Sequence, residues 1–283
     1  MPIIRDHDQY YTNPATADFC VQHVQALAVA RQKDAFFLEP SAGAGAFLNL
    51  LPPKSRTGLD IAPAHPEVVQ ADFLAYAPPA ELARRPIIVL GNPPFGRNSS
   101  LALKFINHAA RFARVVAFIL PKTFQKAHSI RRIDPHLHLV AEYPIPPYAF
   151  IFEGQPWDVP CVFQIWERRE VTRQDSESIR THADFAFVPR QEADFAIRRV
   201  GRSAGAVFRE FERFAKSSHH FVKAANPEGV MAVLESIDWS AVRGQTACVP
   251  CVGKEEIVRL YAARKATGKP LATLARPTHT RTP

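Results

Sequence analysis

The chain has 283 residues, of which 47% are hydrophobic, so it can bury the core of one large domain and a smaller one. No run approaches the ~20 apolar residues that a membrane span needs, and the polar N-terminus has no signal-peptide core. Four irregularly spaced cysteines favour a reduced, cytoplasmic setting over a disulfide scaffold. The formal net charge of +8 suits an acidic partner such as nucleic acid, although a merely basic soluble protein has the same property.

Helical and strand patterns alternate over the first part of the chain. Strands are predicted at 35–39, 57–61, 68–69, 87–90, 114–120, 137–143 and 159–166, and helices at 14–30, 44–51, 100–112 and from 123 onward. This alternation predicts an α/β domain with a mostly parallel sheet that is covered by helices and ends in an antiparallel pair.

The remainder of the chain has a different pattern. Residues 167–182 are polar and charged, as in a linker, and alternating strands at 184–188 and 194–198 precede a last helix at 253–266. The tail is basic and proline-rich, which predicts disorder. We therefore predict domains at 1–169 and 182–265, the second of them a small α+β domain, and a disordered tail at 266–283.

The most informative motif is Asn92-Pro93-Pro94-Phe95, which follows the apolar strand at 87–90. Ligands of open α/β sheets bind outside the carboxyl ends of the strands. Two consecutive prolines stiffen the turn, so the Asn92 side chain and the Pro93 carbonyl are held as two hydrogen-bond acceptors. Phe95 adds a flat apolar face. These groups are what is needed to grip an amino group attached to a flat ring.

A glycine-containing loop follows the first predicted strand. Residues 41–45 (Ser-Ala-Gly-Ala-Gly) are small, as required where a backbone approaches a ligand closely, and the strand before them ends in Glu39. Asp60 follows Gly43 by 17 residues and can hold a ribose diol at the end of the next strand. Asp72 and Phe73 come 12 residues later, where the carboxylate can accept an adenine amino group and the ring can pack on the base.

A phosphate-binding dinucleotide loop is the competing interpretation of this segment. Pro40 disfavours it, and so does Leu48, which stands where that loop would have its third glycine.

In order, these motifs resemble those of S-adenosylmethionine-dependent amino-methyltransferases that act on the exocyclic nitrogen of adenine. Asn-Pro-Pro-Phe is similar to the catalytic motif of that family, 37–48 to its cofactor-binding strand and loop, 58–61 to its ribose-binding strand, and 71–73 to its adenine-contacting motif. Residues 8–14 resemble the N-terminal motif that closes over the methionine moiety, with Asn13 inserted into the usual Thr-Pro. The resemblance covers roughly residues 8–167.

The resemblance implies a Rossmann-like methyltransferase domain and S-adenosyl-L-methionine as the cofactor. No metal site is expected, because the lone C-x-x-C lacks further ligands. It implies that Asn92, Pro93, Pro94 and Phe95 are the catalytic residues. The implied cofactor-binding residues are Tyr11, Thr12, Asn13, Glu39, Ser41, Ala42, Gly43, Gly45, Phe47, Asp60, Ile61, Asp72, Phe73 and Asn92.

The order of the motifs resembles the class of DNA adenine methyltransferases that carry a C-terminal target-recognition region, so DNA is favoured as the substrate. Adenine or guanine amino groups in RNA are the alternative. Glutamine amides in a protein, and a non-catalytic nucleic-acid-binding role for the fold, remain further alternatives. A base in a duplex must be flipped out to reach such a site.

Residues 198–223 carry seven Lys or Arg against two acids, with phenylalanines between them. This pattern suits phosphate contacts with aromatic stacking, and Arg198, Arg199 and Arg202 are the predicted nucleic-acid-binding residues. A solvated face over a small core would have the same pattern.

Two further motifs each have two interpretations. Tyr148 and Phe150 or Phe152 are candidate walls for the base, or packing residues. Cys248 and Cys251 form a lone C-x-x-C, for which a buried turn is the default interpretation because a zinc site needs two more ligands.

Overall fold

The computed structural model describes residues 10–174, 178–245 and 249–267. The chain divides into two compact units, one ending at Asp175 and the other beginning at Ser176, inside the polar segment 167–182. None of the helices in these described ranges is both long and apolar enough to cross a membrane.

The first unit contains ten strands and three α-helices in its described residues. In chain order the strands are β1 Tyr11–Thr12, β2 Phe36–Glu39, β3 Arg56–Asp60, β4 Val68–Gln70, β5 Ile87–Gly91, β6 Val115–Pro121, β7 Leu137–Pro144, β8 Phe150–Phe152, β9 Gln155–Trp157 and β10 Cys161–Arg168. The helices are α1 Pro14–Gln25, α2 Ser100–Ala109 and α3 Ala127–Ile130.

Seven of these strands form one sheet in the order β4-β3-β2-β5-β6-β10-β7. Strands β2 to β6 pair in parallel, whereas β10 is antiparallel to both β6 and β7. Strands β2, β5 and β6 are buried along their whole length, which is why they read as continuous apolar runs. The predicted Rossmann-like α/β fold, with its mostly parallel sheet and antiparallel end, is confirmed.

The order of the sheet determines where a ligand can bind. The chain runs from β2 outward to β3 and β4 on one side, and then returns to place β5 on the other side of β2. The loops that follow β2 and β5 therefore diverge at a topological switch point, where a crevice opens at the carboxyl edge of the sheet. These loops carry the glycine segment and the Asn-Pro-Pro-Phe turn.

The α-helix predicted at 44–51 is wrong. The segment forms tight turns and a single 3₁₀ turn at Leu48–Leu50. Gly43 and Gly45 have φ values of +49° and +81°, which a right-handed helix does not allow. Similarly, the helix predicted from residue 123 is a 3₁₀ turn at Lys122–Gln125 followed by the short α3.

A small second sheet, with the order β1-β8-β9, was not predicted. The hairpin β8–β9 turns at Glu153 and Gly154, whose φ values of +49° and +75° are typical of a type I′ turn. Strand β1 pairs with β8, so that Tyr11 lies opposite Ile151. This pairing fixes the N-terminal motif against the rest of the unit.

The second unit is α+β, as predicted. Its strands β11 Phe185–Phe187, β12 Phe195–Arg198, β13 Val207–Phe208 and β14 His219–Ala224 form an antiparallel sheet in the order β11-β14-β12-β13. Its helices are α4 Pro227–Glu235, α5 Ser240–Arg243 and α6 Lys254–Thr267. Helix α6 agrees with the predicted 253–266, and the predicted disorder of the tail concerns residues that, from 268 onward, lie outside the described ranges.

Candidate active site

The Asn92 turn and the glycine loop are tied directly to each other. The Ser41 hydroxyl donates a hydrogen bond to the Asn92 carbonyl at 3.0 Å. Gly91 ends β5 with a φ of +146°, and a Cβ at this position would lie 3.3 Å from the Cγ of Glu39. Glycine therefore lets the end of β5 approach the end of β2 closely.

The Asn92 side chain leaves one hydrogen-bond acceptor unused. Its Nδ2 donates a long 3.4 Å hydrogen bond to the carbonyl of Tyr10, and because a carbonyl only accepts, the amide orientation is fixed. The Oδ1 atom is buried and has no hydrogen-bond partner among the described residues. Leaving such an atom unsatisfied costs ~1–3 kcal/mol, so it needs a functional explanation.

The glycine loop, Asp60 and Tyr11 converge. The Gly43 N–H donates to Oδ2 of Asp60 at 2.8 Å. A Cβ at Gly43 would lie 3.2 Å from Cε1 of Tyr11, so that ring covers the loop. Three predicted cofactor-binding motifs, separated along the chain, therefore meet at the carboxyl edge of the sheet.

Both Asp60 oxygens are held by backbone donors. Oδ2 accepts from Gly43, and Oδ1 accepts from the Ala62 N–H at 2.8 Å. Each carboxylate oxygen has a second lone pair, so Asp60 can still accept two ligand hydroxyls while its rotamer is fixed. Ile61, the next residue, is 53% exposed and offers an apolar surface beside the carboxylate.

Glu39 is only 2% exposed and stabilises the loop from beneath. Its Oε2 accepts the Leu48 N–H at 2.7 Å. Burial raises the pKa of the Glu39 carboxyl well above its ordinary value, and the nearby Asp60 charge adds to this, while the backbone donors of Leu48 and Phe47 oppose it. The Glu39 carboxyl therefore holds the backbone of the loop through a hydrogen bond to the Leu48 N–H.

The N-terminal motif is built into the start of α1. Thr12 is buried, and the Asn13 side chain caps the helix by accepting the Ala15 N–H at 3.0 Å, with Pro14 as the first helical residue. The inserted Asn13 thus has a structural role, because its side-chain oxygen is engaged by the helix.

The aromatic rings of Phe73 and Phe47 do not line the crevice at the carboxyl edge of the sheet. Both residues are 1% exposed, and the Phe73 ring packs 5.1 Å from Phe105 and 4.9 Å from His108. The expectation that the Phe73 ring packs on a base is therefore corrected: the ring belongs to the hydrophobic core. Asp72 beside it is exposed, and its Oδ1 caps the following turn by accepting the Leu74 N–H at 2.9 Å.

Other aromatic side chains line the N-terminal motif. Phe150 is buried in the core, but the Phe152 ring lies 5.0 Å from Tyr10 and 5.6 Å from Trp157. Trp157 is 40% exposed and was missed because a lone tryptophan in a short strand gives no signal by itself. The recognisable signal is the hairpin, with Gly154 between two short runs.

Of the remaining site residues, Ala42 and Gly45 are buried in the loop, and Pro93 is buried in the turn. Pro94 and Phe95 are half-buried. Phe95 packs at the margin of both hydrophobic clusters of the first unit.

Only part of the predicted basic patch of the second unit is exposed for contact with nucleic acid. Arg198 is half-buried, with its Nε donating to the Val200 carbonyl at 2.9 Å and its Nη1 lying 3.4 Å from His219 Nε2. Arg199 and Arg202 are exposed. The interleaved Phe211 is buried, so it packs in the core of this unit.

No group of three metal-ligating side chains occurs in the part of the chain that the structure describes. Cys248 of the C-x-x-C pair lies outside that part.

No protein-family model matches the chain, and no curated protein matches it in sequence. Solved structures are similar at low identity. A Listeria monocytogenes protein assigned to the class I S-adenosylmethionine-dependent methyltransferases is 15% identical, with a TM-score of 0.42 over 59% of this chain and 63% of that one. A Pyrococcus horikoshii protein assigned as an RNA methyltransferase is 16% identical, with a TM-score of 0.42 over 57% and 88% of the two chains.

The magnesium protoporphyrin IX methyltransferase of Synechocystis, solved with bound S-adenosylmethionine, is 14% identical, with a TM-score of 0.40 over 55% of this chain and 79% of that one. The chain thus spans less than two thirds of the Listeria protein.

Proposed function

We propose that the protein transfers a methyl group from S-adenosyl-L-methionine to the exocyclic amino group of adenine in DNA. The single observation that carries this proposal is the buried Oδ1 of Asn92, which lacks a partner among the described residues at the end of β5. This oxygen can accept a hydrogen bond from one N–H of an incoming amine. The Pro93 carbonyl, next in the chain, supplies a second acceptor for the other N–H.

The residues around Asp60 fit the cofactor. The Asp60 carboxylate has free lone pairs for the two ribose hydroxyls, Ile61 offers an exposed apolar contact, and Gly43 allows close approach of the backbone. Tyr11 lies over the loop and suits the role of covering the methionine moiety. When bound, the cofactor supplies an electrophilic methyl group on a sulfonium.

The role of the turn follows from the chemistry of the amine. The lone pair of an exocyclic adenine nitrogen is delocalised into the ring, so the nitrogen is a poor nucleophile. Acceptors at both N–H bonds favour a pyramidal nitrogen and meet the positive charge that develops on it. Holding the amine in line with the methyl group contributes further. As the nitrogen–carbon bond forms, the carbon–sulfur bond breaks and S-adenosylhomocysteine is the leaving group. The methylated nitrogen then loses a proton to water, so no strong general base is required.

The Asn92 amide lies beside Tyr10 of the N-terminal motif. Oδ1 of Asn92 is buried, and the amide is in contact with the Tyr10 carbonyl. An amine reaches this atom only after a local rearrangement, and Phe152 and Trp157 on the β8–β9 hairpin offer aromatic faces for the base. The rings are rigid and flat, which suits stacking on a nucleobase.

A parallel assay identifies the acceptor. Purified protein is incubated with methyl-labelled S-adenosylmethionine and DNA, total RNA or a protein extract, and the products are analysed by mass spectrometry. We expect N6-methyldeoxyadenosine in the DNA sample. N6-methyladenosine in RNA alone would favour the alternative substrate, and methylguanine or methylglutamine alone would overturn the assignment of the amine.

A further inference from the structure

A second concave site lies at the opposite edge of the sheet from Asn92. It has a volume of about 660 Å³ and is formed where β5, β6 and β7 begin and β10 ends. Its lining includes five arginines and two acids: Arg84, Arg85, Arg114, Arg168, Arg169, Asp34 and Glu170. The proposed methyl-transfer chemistry uses none of these residues.

Two of the arginines are fixed in place without losing their charge. Arg85 donates from Nε to the Asp34 carbonyl at 2.8 Å, and its guanidinium lies 4.9 Å from the centre of the Phe36 ring. Arg168 donates from Nη1 to the Ala110 carbonyl. Arg85 Nη2 also donates to the Ala35 carbonyl and to Ser55 Oγ, both at 3.2 Å. Because all of these partners are neutral, neither guanidinium charge is neutralised by an acid.

The other arginines are exposed at the margin. Arg114 and Arg169 share the carboxylate of Glu167, at 3.2 and 3.4 Å respectively. Arg84 is exposed, and no acid of the described residues pairs with it. Counting Glu167 with the two acids of the lining, the site keeps an excess of two positive charges.

We infer that this cleft, which we call the arginine cleft, binds the phosphate of a nucleotide. Guanidinium forks match phosphate oxygens in pairs. The volume lies within the ~300–1,000 Å³ of small-molecule sites. Phe112 in the lining is half-buried and offers an apolar contact for a base. The phosphate can belong to a free nucleotide or to a nucleic-acid strand, and the test separates these sources.

The arginine cleft is separate from the proposed catalytic turn. Strand β5 rises about 13 Å, at ~3.3 Å per residue, from Ile87 in the cleft lining to Gly91, the residue before Asn92. A probe that lacks an exocyclic amino group therefore has no group for the proposed Asn92 acceptor, and any binding at the exposed Arg199 and Arg202 is unchanged by substitutions in the arginine cleft. Uridine triphosphate and a short oligothymidylate meet this requirement.

Calorimetry on the full chain with each probe tests the inference. The double variant R84A/R169A should weaken binding by about tenfold or more, since charged hydrogen bonds are lost. The matched control K104A/R132A removes the same charge at exposed positions outside the lining and should leave the affinity unchanged. E170Q removes an exposed acid of the lining and should strengthen binding.

The outcomes are distinct. Binding of uridine triphosphate identifies a free nucleotide as the source, and binding of oligothymidylate alone identifies a strand. Absence of binding by both probes, or equal weakening by R84A/R169A and by the control, would overturn the inference. Asn92 and Asp60 are intact in every variant, so a failure of this inference leaves the proposed methyl transfer standing.

Discussion

At the scale of single residues, Asp60 links the glycine loop to the proposed cofactor. Its carboxylate already accepts two backbone N–H groups, from Gly43 and Ala62. These bonds fix the position from which it would bind a ribose diol. One side chain would thus hold both the loop and the proposed cofactor.

Asp60→Ala should weaken S-adenosylmethionine binding, because the loss of a charged hydrogen bond costs ~1.5–3 kcal/mol. Titration calorimetry measures the affinity, and circular dichroism verifies the fold. Asp60→Asn is the matched control: it keeps one acceptor oxygen and should retain part of the affinity. Unchanged binding in a folded Asp60→Ala variant would remove Asp60 from the site.

Glu39 should make stability depend on pH. Below its ordinary pKa of 4.5 the carboxyl is protonated in both the folded and the unfolded chain. Above pH 4.5 the unfolded chain loses this proton while the folded chain keeps it. The contribution of Glu39 to stability therefore declines as the pH rises toward its raised pKa, by up to ~1.4 kcal/mol per pH unit.

Glu39→Gln tests this, because glutamine is neutral at every pH. The unfolding free energy of the variant, measured in urea, should rise relative to that of the unchanged protein as the pH increases above 4.5. If the unfolding free energies of the two proteins changed equally with pH, the raised pKa of Glu39 would be contradicted.

At the scale of elements, the β8–β9 hairpin supports the N-terminal motif through its pairing with β1. Gly154 has a φ of +75°, and a Cβ there would meet nothing within 4 Å. Gly154→Ala should therefore destabilise the protein through backbone conformation alone, by about 1–2 kcal/mol. Gly244→Ala is the control, because its φ of −68° suits alanine. Equal denaturation midpoints for the two variants would refute this account.

The elements also show how far the sequence predicts the fold. Strands such as β5 and β6 were predicted because burial on both faces requires continuous apolar runs. The helix at 44–51 was not formed, because positive φ at Gly43 and Gly45 and the Glu39 carboxylate fix a turn instead. A contact such as that between Glu39 and the Leu48 N–H produces no local pattern in the sequence.

The sequence also predicted part of the candidate site. The motifs at Gly43, Asp60 and Asn92 meet because the carboxyl ends of neighbouring strands share an edge. Phe73 was misplaced, since an aromatic residue after an acid has the same pattern whether its ring is buried or free. The position of Trp157 depends on the β8–β9 hairpin, which was not predicted although Gly154 lies between two short runs.

At the scale of the whole molecule, net charge and exposed arginines bear on nucleic-acid binding. Arg199 and Arg202 are exposed, whereas Arg198 bonds within the second unit. Arg199→Ala with Arg202→Ala should lower the slope of log affinity against log salt by ~0.7–0.9 for each lost phosphate contact. Arg209→Ala is the control, since Arg209 pairs with Glu228. Filter binding at several salt concentrations measures this slope. An unchanged slope would favour the alternative interpretation, in which these arginines lie on a solvated face and do not contact nucleic acid.

The central claim is that Asn92 holds the acceptor amine, and the rate of methyl transfer by Asn92→Ala tests it most directly. Labelled methyl transfer to DNA under single-turnover conditions should fall by ~10²–10³, the typical effect of losing one preorganised hydrogen-bonding group. Cofactor affinity, measured in parallel, should remain, because Asp60 and the glycine loop are unaltered. A fall of less than about tenfold, or an equal loss of cofactor affinity, would contradict the catalytic role of Asn92.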